Sequence, residues 1–250
     1  MSKRIDLNAD VGEGFASDIA LMQCITSASV ACGVHAGDEQ TMLQAVRLAM
    51  KHGVALGAHP SLDDRGNFGR RELSVTPDEV RALVTAQVRR LQRLTEAEGG
   101  TLRHVKPHGA LYNMAARDPA LALAVAEAVH DINTKLIVFG LAGSASIREA
   151  LALGLAVAEE AFADRGYHRD GTLVKRGEPG ATLSNAEDAA ARAIKMIRNL
   201  TVLAVDGTPM QIRADTLCIH GDEPNAAVFV RTLRQELEKA GIEVIRVGTP

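Results

Sequence analysis

Tryptophan is absent, and aromatic residues make up only 3% of the chain. That leaves little material for the stacking platforms that hold single strands of nucleic acid. Basic charge is not in excess: 28 Lys and Arg face 31 Asp and Glu, giving a net charge of -3 and a pI near 6.2. No nucleic-acid partner is expected from that balance. No apolar run reaches the roughly 18 residues a transmembrane helix needs, so no membrane partner is expected. The stretch Met1 to Asp10 lacks the apolar core of a secretory signal. Cysteine is scarce and odd in number: Cys24, Cys32 and Cys218 read as reduced thiols, not as a disulfide framework. A cytoplasmic protein is the expectation. With 46% hydrophobic residues and no low-complexity tract, disorder is excluded.

What the chain does have is alternation. Short apolar, β-branched runs are expected as strands near 4–10, 29–34, 54–58, 101–106, 135–139, 155–159, 216–219 and 242–247. Helical periodicity falls between them, near 17–26, 39–51, 119–129, 144–153 and 224–240. Thr76, Pro77 and Glu79 form the opening of another helix, as cap, first-turn proline and capping-box acid. Ser184 with Glu187 is a second candidate box, for a helix to about 198. Asp206-Gly207 predicts an appended hairpin within 201–212. No composition break divides residues 1–250, so the economical fold is α/β, a single TIM-like (β/α) barrel. A doubly wound open sheet is the alternative.

Polar residues gather where the expected strands end. Asn8 and Asp10 alternate onto one face of the first strand, with Glu13 just beyond. Later strand ends carry His35 and Asp38, then His59, then Lys106 and His108 with Tyr112 and Asn113, then Glu160 with Asp164 and Arg165, then His220 and Asp222. Parallel barrels take their catalytic groups from that face. Each residue also has a plainer reading. Asp10 by itself fits a helix cap, and Asp38 reads as a cap in either case. A lone histidine is usually a hydrogen-bonded structural one, and His104 reads as such. Lys106 alone fits a solvated surface lysine. Asp64-Arg65 and Asp164-Arg165 fit local ion pairs, and Arg70-Arg71 fits either an anion site or a solvated loop. Cys32 and Cys218 read as small buried hydrophobes. The clustering of four histidines at strand ends favours a site over these separate explanations.

The sequence has no P-loop, no H-E-x-x-H and no C-x-x-C, and Gly12-Glu13-Gly14 is too short for a dinucleotide fingerprint. The acid and histidine set does not demand a metal. If one is present, Asp10, His59 and His108 are its expected ligands.

Six ordered segments together resemble the LamB/YcsF family: Asp6–Phe15, Ala31–Asp38, Gly57–Ser61 with Asp64-Arg65 and Phe68–Arg71, Val105–Asn113, Glu160–Arg165 with Tyr167, and His220–Asp222. Val34 stands where an aromatic is expected in that pattern. The resemblance implies a distorted seven-stranded barrel like that of polysaccharide deacetylases. It also implies ATP-dependent hydrolysis of 5-oxoproline to L-glutamate, with Mg as the partner of ATP, in a complex with two other subunits (B and C). In such an enzyme Asp10 is expected as general base or water-orienting group, and His59, His108 and His220 as proton-transfer groups. Lys106 is expected to stabilise negative charge on oxygen or phosphate, and Arg70 or Arg71 to hold the substrate carboxylate. Asn8, Glu13, His35, Asp38, Tyr112, Asn113, Glu160, Asp164, Arg165 and Asp222 complete the expected substrate contacts. The rival functions are a metal-dependent amide or carbohydrate deacetylase and a non-catalytic lactam-binding subunit.

Overall fold

The computed structural model describes residues 3–219 and 226–249. Seven parallel strands close on themselves: β1 (Lys3–Val11), β2 (Ser27–Ala31), β3 (Ala55–His59), β4 (Leu102–Val105), β5 (Ile137–Leu141), β6 (Val157–Phe162) and β9 (Thr216–Ile219). The closing pair sets Asp6 to Ala9 of β1 against Thr216 to Ile219 of β9. Closure excludes the open doubly wound sheet. The amino end of β1 takes a separate parallel partner, β10 (Ile242–Val244). An antiparallel pair, β7 (Thr201–Leu203) and β8 (Pro209–Gln211), stands outside the barrel. Among the described residues no helix is long and apolar enough to cross a membrane.

The helices are α1 (Asp18–Leu21), α2 (Glu39–His52), α3 (Pro77–Ala97), α4 (Gly109–Arg117), α5 (Pro119–Ile132), α6 (Ala145–Ala152), α7 (Ala186–Asn199) and α8 (Ala226–Lys239). Local chemistry explains most of their limits. Thr76 and Glu79 exchange the reciprocal capping bonds at the start of α3, and Gly53 closes α2 in the left-handed conformation. Val80, Val84, Val88 and Leu91 form the buried stripe of α3. On the same helix the buried Gln87 holds Ser61 at both main-chain atoms, accepting from its N–H at 3.0 Å and donating to its carbonyl at 2.7 Å. That clamp fixes the turn directly after His59.

Three local expectations change. The cap of α7 is Asn185, whose side chain accepts from the Asp188 N–H; Ser184 lies one residue too early. The helix expected over 17–26 is the single turn α1, followed by hydrogen-bonded turns at Cys24 and Ile25. The helix α4, which follows β4 closely, has no counterpart among the expected helices. There Gly109 adopts φ +54, and a side chain on it would strike the Gly69 carbonyl, so the turn into α4 depends on glycine.

The barrel interior is polar. Inward-facing residues of β1 are Asp6, Asn8 and Asp10, while Leu7, Ala9 and Val11 are buried in the hydrophobic core. At the amino side Asp6 accepts hydroxyl bonds from Thr26 (2.6 Å), Ser27 (2.7 Å) and Thr216. One layer up, His104 stacks on Phe139 with ring centroids 4.2 Å apart and reaches the Ser29 hydroxyl at 3.3 Å. Gly57 leaves room for that ring: a Cβ there would sit 2.1 Å from its Nε2. Burial drives the His104 pKa down to about 3, so this ring is neutral core.

Candidate active site

At the carboxyl end of the barrel the polar layer becomes ionic. Lys106 lies just past β4 and is 3% exposed. Its ammonium is 2.8 Å from Asp10 Oδ1, 3.0 Å from Glu160 Oε1, 2.9 Å from Asn8 Oδ1 and 3.1 Å from Cys218 Sγ. An ammonium has three protons, and here four acceptors share them. Burial disfavours its charge, but Asp10 and Glu160 outweigh that, and the Lys106 pKa lies well above the usual lysine value. Burial likewise pushes the Asp10 carboxyl up, and His59 and Lys106 overcome it, holding Asp10 well below the usual carboxylate range. Asn8 anchors the floor by donating to Glu160 Oε1 and Thr216 Oγ1.

Beside this ion cluster stand three imidazoles. His59 Nδ1 lies 2.7 Å from the Lys106 carbonyl, and His108 Nε2 lies 2.9 Å from the Phe68 carbonyl. Carbonyls only accept, so both of those ring nitrogens carry protons. The other two nitrogens, His59 Nε2 and His108 Nδ1, face each other at 2.9 Å. Two lone pairs cannot sit comfortably at that distance, so the pair is built to hold one proton or one cation between them. Asp10 Oδ2 approaches His59 Nε2 at 3.3 Å, and Glu13 Oε1 approaches His108 Nδ1 at 3.7 Å. His35 stacks flat on His108 at 3.8 Å between centroids and contacts Glu13 Oε1 at 3.1 Å. Burial first, and then the neighbouring His59, depress the His35 pKa to about 3; burial with His59 and His35 holds His108 well below the usual histidine value. Phe68 presents its carbonyl from a left-handed backbone (φ +57) that a non-glycine residue adopts only when its surroundings hold it there.

One ligand atom each from Asp10, Glu13, His59 and His108 lies within 4.8 Å of all the others. The donor set suits a borderline divalent ion, and the outer ring nitrogens bonded to main-chain carbonyls are the orientation that metal-binding histidines need. The residues therefore fit a metal, with Glu13 added to the three expected ligands.

These groups open into a cavity of about 940 Å³ lined by Asp10, His59, Lys106, His108, Tyr112 and Cys218 at its floor, and by Arg70, Arg71, Asn113, Arg165 and others toward its mouth. Tyr112 is buried, and burial together with Glu160 raises its hydroxyl well above the usual phenol value. Arg70 lies over the Phe68 ring at 4.9 Å, and Arg71 pairs with Asp64 at 3.5 Å. Arg165 is buried and donates to the Ala181 and Val174 carbonyls, holding its own loop in place. Asp164 is half-buried beside it. Asn113 donates back to the Gly109 carbonyl within α4. Asp38 is not brought to the cavity: it is exposed and caps α2 through the Thr41 N–H. His220 and Asp222 lie outside the described residues. Cys218 is buried in the core, as its reading as a small hydrophobe expects, and its sulfur also touches Lys106. Its signal was the alternation with Thr216, which puts both on the inward face of β9. Lys175 and Arg176 also line the cavity; they come from an irregular loop with no period to betray them.

The LamB/YcsF family model matches residues 5–249. The chain belongs to the LamB/YcsF family. A relative from Methylococcus capsulatus (strain Bath), described as the A subunit of 5-oxoprolinase, is 51% identical over 99% of this chain and 97% of its own. The crystal structure of a lactam utilization protein from Thermus thermophilus superposes with a TM-score of 0.90 at 45% identity, covering 97% of this chain and 99% of that one. A family 4 carbohydrate esterase from Streptomyces lividans shares the barrel alone, with a TM-score of 0.50 at 12% identity over 98% of this chain and 93% of that one. The expected seven-stranded, deacetylase-like barrel is thus the observed fold of this LamB/YcsF member.

Proposed function

We propose that this chain is the A subunit of a 5-oxoprolinase and opens the lactam ring of 5-oxoproline to give L-glutamate in an ATP-coupled reaction. The observation that carries the reading is the Lys106–Asp10–His59–His108 cluster at the floor of a deep cavity. The names of the close relatives support the substrate class. A lactam amide is resonance-stabilised, and phosphorylation of its oxygen by ATP, with release of ADP, makes the ring carbon electrophilic. Water then adds to that carbon and gives up a proton. The ring C–N bond breaks, the nitrogen takes a proton, and the acyl phosphate left behind is cleaved by a second water to glutamate and phosphate.

In this scheme the histidine pair handles the protons. His59 Nε2 and His108 Nδ1 accept one proton between them, and their outer nitrogens stay fixed on carbonyls. Asp10 is held too acidic to be the base itself, so its role is to orient His59 and to stabilise the charged form of the pair. Lys106 holds Asp10 and Glu160 side by side by pairing with both. The test is glutamate release from 5-oxoproline and ATP in a mixture of this chain with its two partner subunits, each omitted in turn. Omitting this chain is expected to abolish release; full release in its absence overturns the proposal.

The four-ligand cluster favours a second reading, a metal-dependent amide hydrolysis that needs no ATP. Asp10, Glu13, His59 and His108 would hold the ion, which when bound supplies a Lewis acid that acidifies water. Chelation followed by metal add-back, with ATP left out, separates the two: metal-restored amide cleavage supports this second reading, and no cleavage removes it.

A further inference from the structure

Arg165 is 7% exposed, yet it lines the cavity. It lies just beyond the end of β6, whose last residue, Phe162, pairs with Cys218 of β9. A guanidinium keeps its charge even when buried, so it needs acceptors. Nε donates to the Ala181 carbonyl at 3.1 Å and NH2 to the Val174 carbonyl at 2.6 Å. Both acceptors are neutral, and among the described residues no carboxylate lies within ion-pair distance of this side chain. Two of its five N–H groups go to the carbonyls, which leaves three for another acceptor. NH1 has no hydrogen-bond partner among the described residues, and no Arg165 nitrogen is both sealed from water and unpartnered. NH1 is therefore the end that meets the cavity.

The loop between β6 and α7 fixes the direction of that end. Its main chain folds back on itself: the Gly166 N–H donates to the Ala181 carbonyl at 2.9 Å, the Val174 N–H to the Gly166 carbonyl at 2.9 Å, and the Leu183 N–H to the Asp164 carbonyl at 2.7 Å. Gly166 permits the crossing, since a Cβ there would lie 2.1 Å from the Gly180 carbonyl oxygen. From α7, Arg192 donates to the Arg165 carbonyl at 2.5 Å and lies over the Tyr167 ring at 5.4 Å. The Tyr167 hydroxyl in turn accepts from the Phe162 N–H at 2.7 Å, tying the loop to the end of β6. The guanidinium is thus set before a ligand arrives, and an anion that meets it pays little to order it.

The sequence offers Arg70 or Arg71 for a substrate carboxylate, but Arg71 already pairs with Asp64. Lys106 is shared among Asp10, Glu160, Asn8 and Cys218. We infer that Arg165 is the residue that holds the carboxylate of a small lactam acid, end-on through NH1 and NH2, and so selects the acid over neutral lactams. Paired N–H groups of a guanidinium match the two oxygens of a carboxylate. The inference rests on the 5-oxoprolinase reading for the identity of the acid. In 5-oxoproline the carboxylate sits on the carbon next to the ring nitrogen. Anchored beside β6 and β9, the acid turns its amide across the floor toward Lys106 and the His59–His108 pair, which come from the β3 and β4 side. A neutral lactam of the same ring has no group for this anchor.

The test is titration calorimetry on the full chain, alone and mixed with its two partner subunits. The probes are 5-oxoproline and its uncharged carboxamide, which keeps the ring and loses the anion. The parent is expected to bind the acid about tenfold or more tighter than the carboxamide. Arg165→Gln is expected to remove that preference by weakening the acid alone, while Arg103→Gln, an exposed cation outside the cavity, leaves it in place. Equal weakening of both probes by Arg165→Gln makes the residue a support of its loop and overturns the inference. So does a parent without preference, or a parent that binds no acid alone or in the mixture. A preference that survives Arg165→Gln and is lost in Arg70→Gln or Arg71→Gln overturns it as well. Thermal unfolding checks that each variant is folded. Should Arg165→Gln not fold, the parent supplies the readout by nuclear magnetic resonance: the Arg165 Nε–H signal shifts with bound acid and not with the carboxamide, and an unmoved signal overturns the inference. Absence of glutamate release with the preference intact counts against the proposed reaction and leaves the anchor standing.

Discussion

Asp6 and Asp10 lie four residues apart on the same inward face of β1, Asp6 buried and Asp10 mostly buried where it lines the cavity, and they behave oppositely. Asp6 meets only hydroxyls, from Thr26, Ser27 and Thr216, and burial raises its pKa above the ordinary 3.8. Asp10 meets Lys106 and His59, and although burial pushes it upward too, those partners hold it well below 3.8. Burial is common to both, so the partner decides the charge state. The amino-side carboxylate ties β1 to Ser27 of β2 and Thr216 of β9; the carboxyl-side one sits in the ionic cluster at the cavity.

The largest break in this contrast is Lys106→Met. It leaves Asp10 and Glu160 facing each other with their shared cation gone, a loss of about 3–5 kcal/mol for a buried ionic group stripped of its partner. Glutamate release by the reconstituted complex is expected to fall on the order of a thousandfold. Adding Glu160→Gln removes one of the stranded charges, so urea unfolding should show recovered stability while activity stays lost. Recovered activity in the double variant would show that Lys106 acts only as a structural counterion.

Asp10→Asn and Asp6→Asn put the two carboxylates in direct comparison. Asp10→Asn is expected to cost roughly 10² to 10⁴ in kcat with the Tm close to that of the parent, because Glu160 and Asn8 still hold Lys106. Asp6→Asn is expected to do the reverse: about 1–3 kcal/mol of stability lost through a mismatched hydroxyl network, and kcat retained in the folded fraction. A pair of variants with the same profile removes the distinction between the two ends of the barrel.

Much of this arrangement is legible in the sequence, and the reason is periodicity. Asn8 with Asp10 alternate along a strand, and Lys106 with His108 sit two apart where one ends, so spacing alone brings them to one face. His59 is marked by its place just before Pro60. The loops are illegible for the opposite reason. Lys175 and Arg176 reach the cavity, and the Phe68 carbonyl reaches His108, through irregular backbone where no repeat fixes direction. Asp38 misleads, since the residue suited to a site is equally suited to cap α2, and the cap is what the structure has. The helix α4 is hidden because Lys106-Pro107-His108 reads as extended chain until the Gly69–Gly109 contact turns it.

Titration sharpens the comparison further. A carboxyl whose folded pKa is raised contributes stability that is fully present below its unfolded value, near 3.8 for Asp6, and lost as pH rises through the folded value. The stability penalty of Asp6→Asn is therefore expected to be largest below about pH 4 and to shrink as pH increases. Unfolding free energies of variant and parent across that range measure it. A penalty that grows with pH would mean that the hydroxyls around Asp6 stabilise its ionised form after all.

Ser27→Ala has the smallest expected effect and isolates a single hydroxyl of the Asp6 set. Ser27 is 1% exposed and donates to Asp6 Oδ1 at 2.7 Å, while Thr26 donates to the same oxygen at 2.6 Å. With Thr26 still in place the carboxylate oxygen is not orphaned, so the loss is that of one net hydrogen bond, about 1 kcal/mol. For a chain of this size that lowers the Tm by roughly 2–4 °C. Because the hydroxyls on Asp6 lie a full layer below Lys106, kcat and KM should both match the parent. A change in either would couple the amino-side carboxylate to the chemistry through the Thr216–Asn8–Glu160 bonds, a hydrogen-bonded route that joins the two layers.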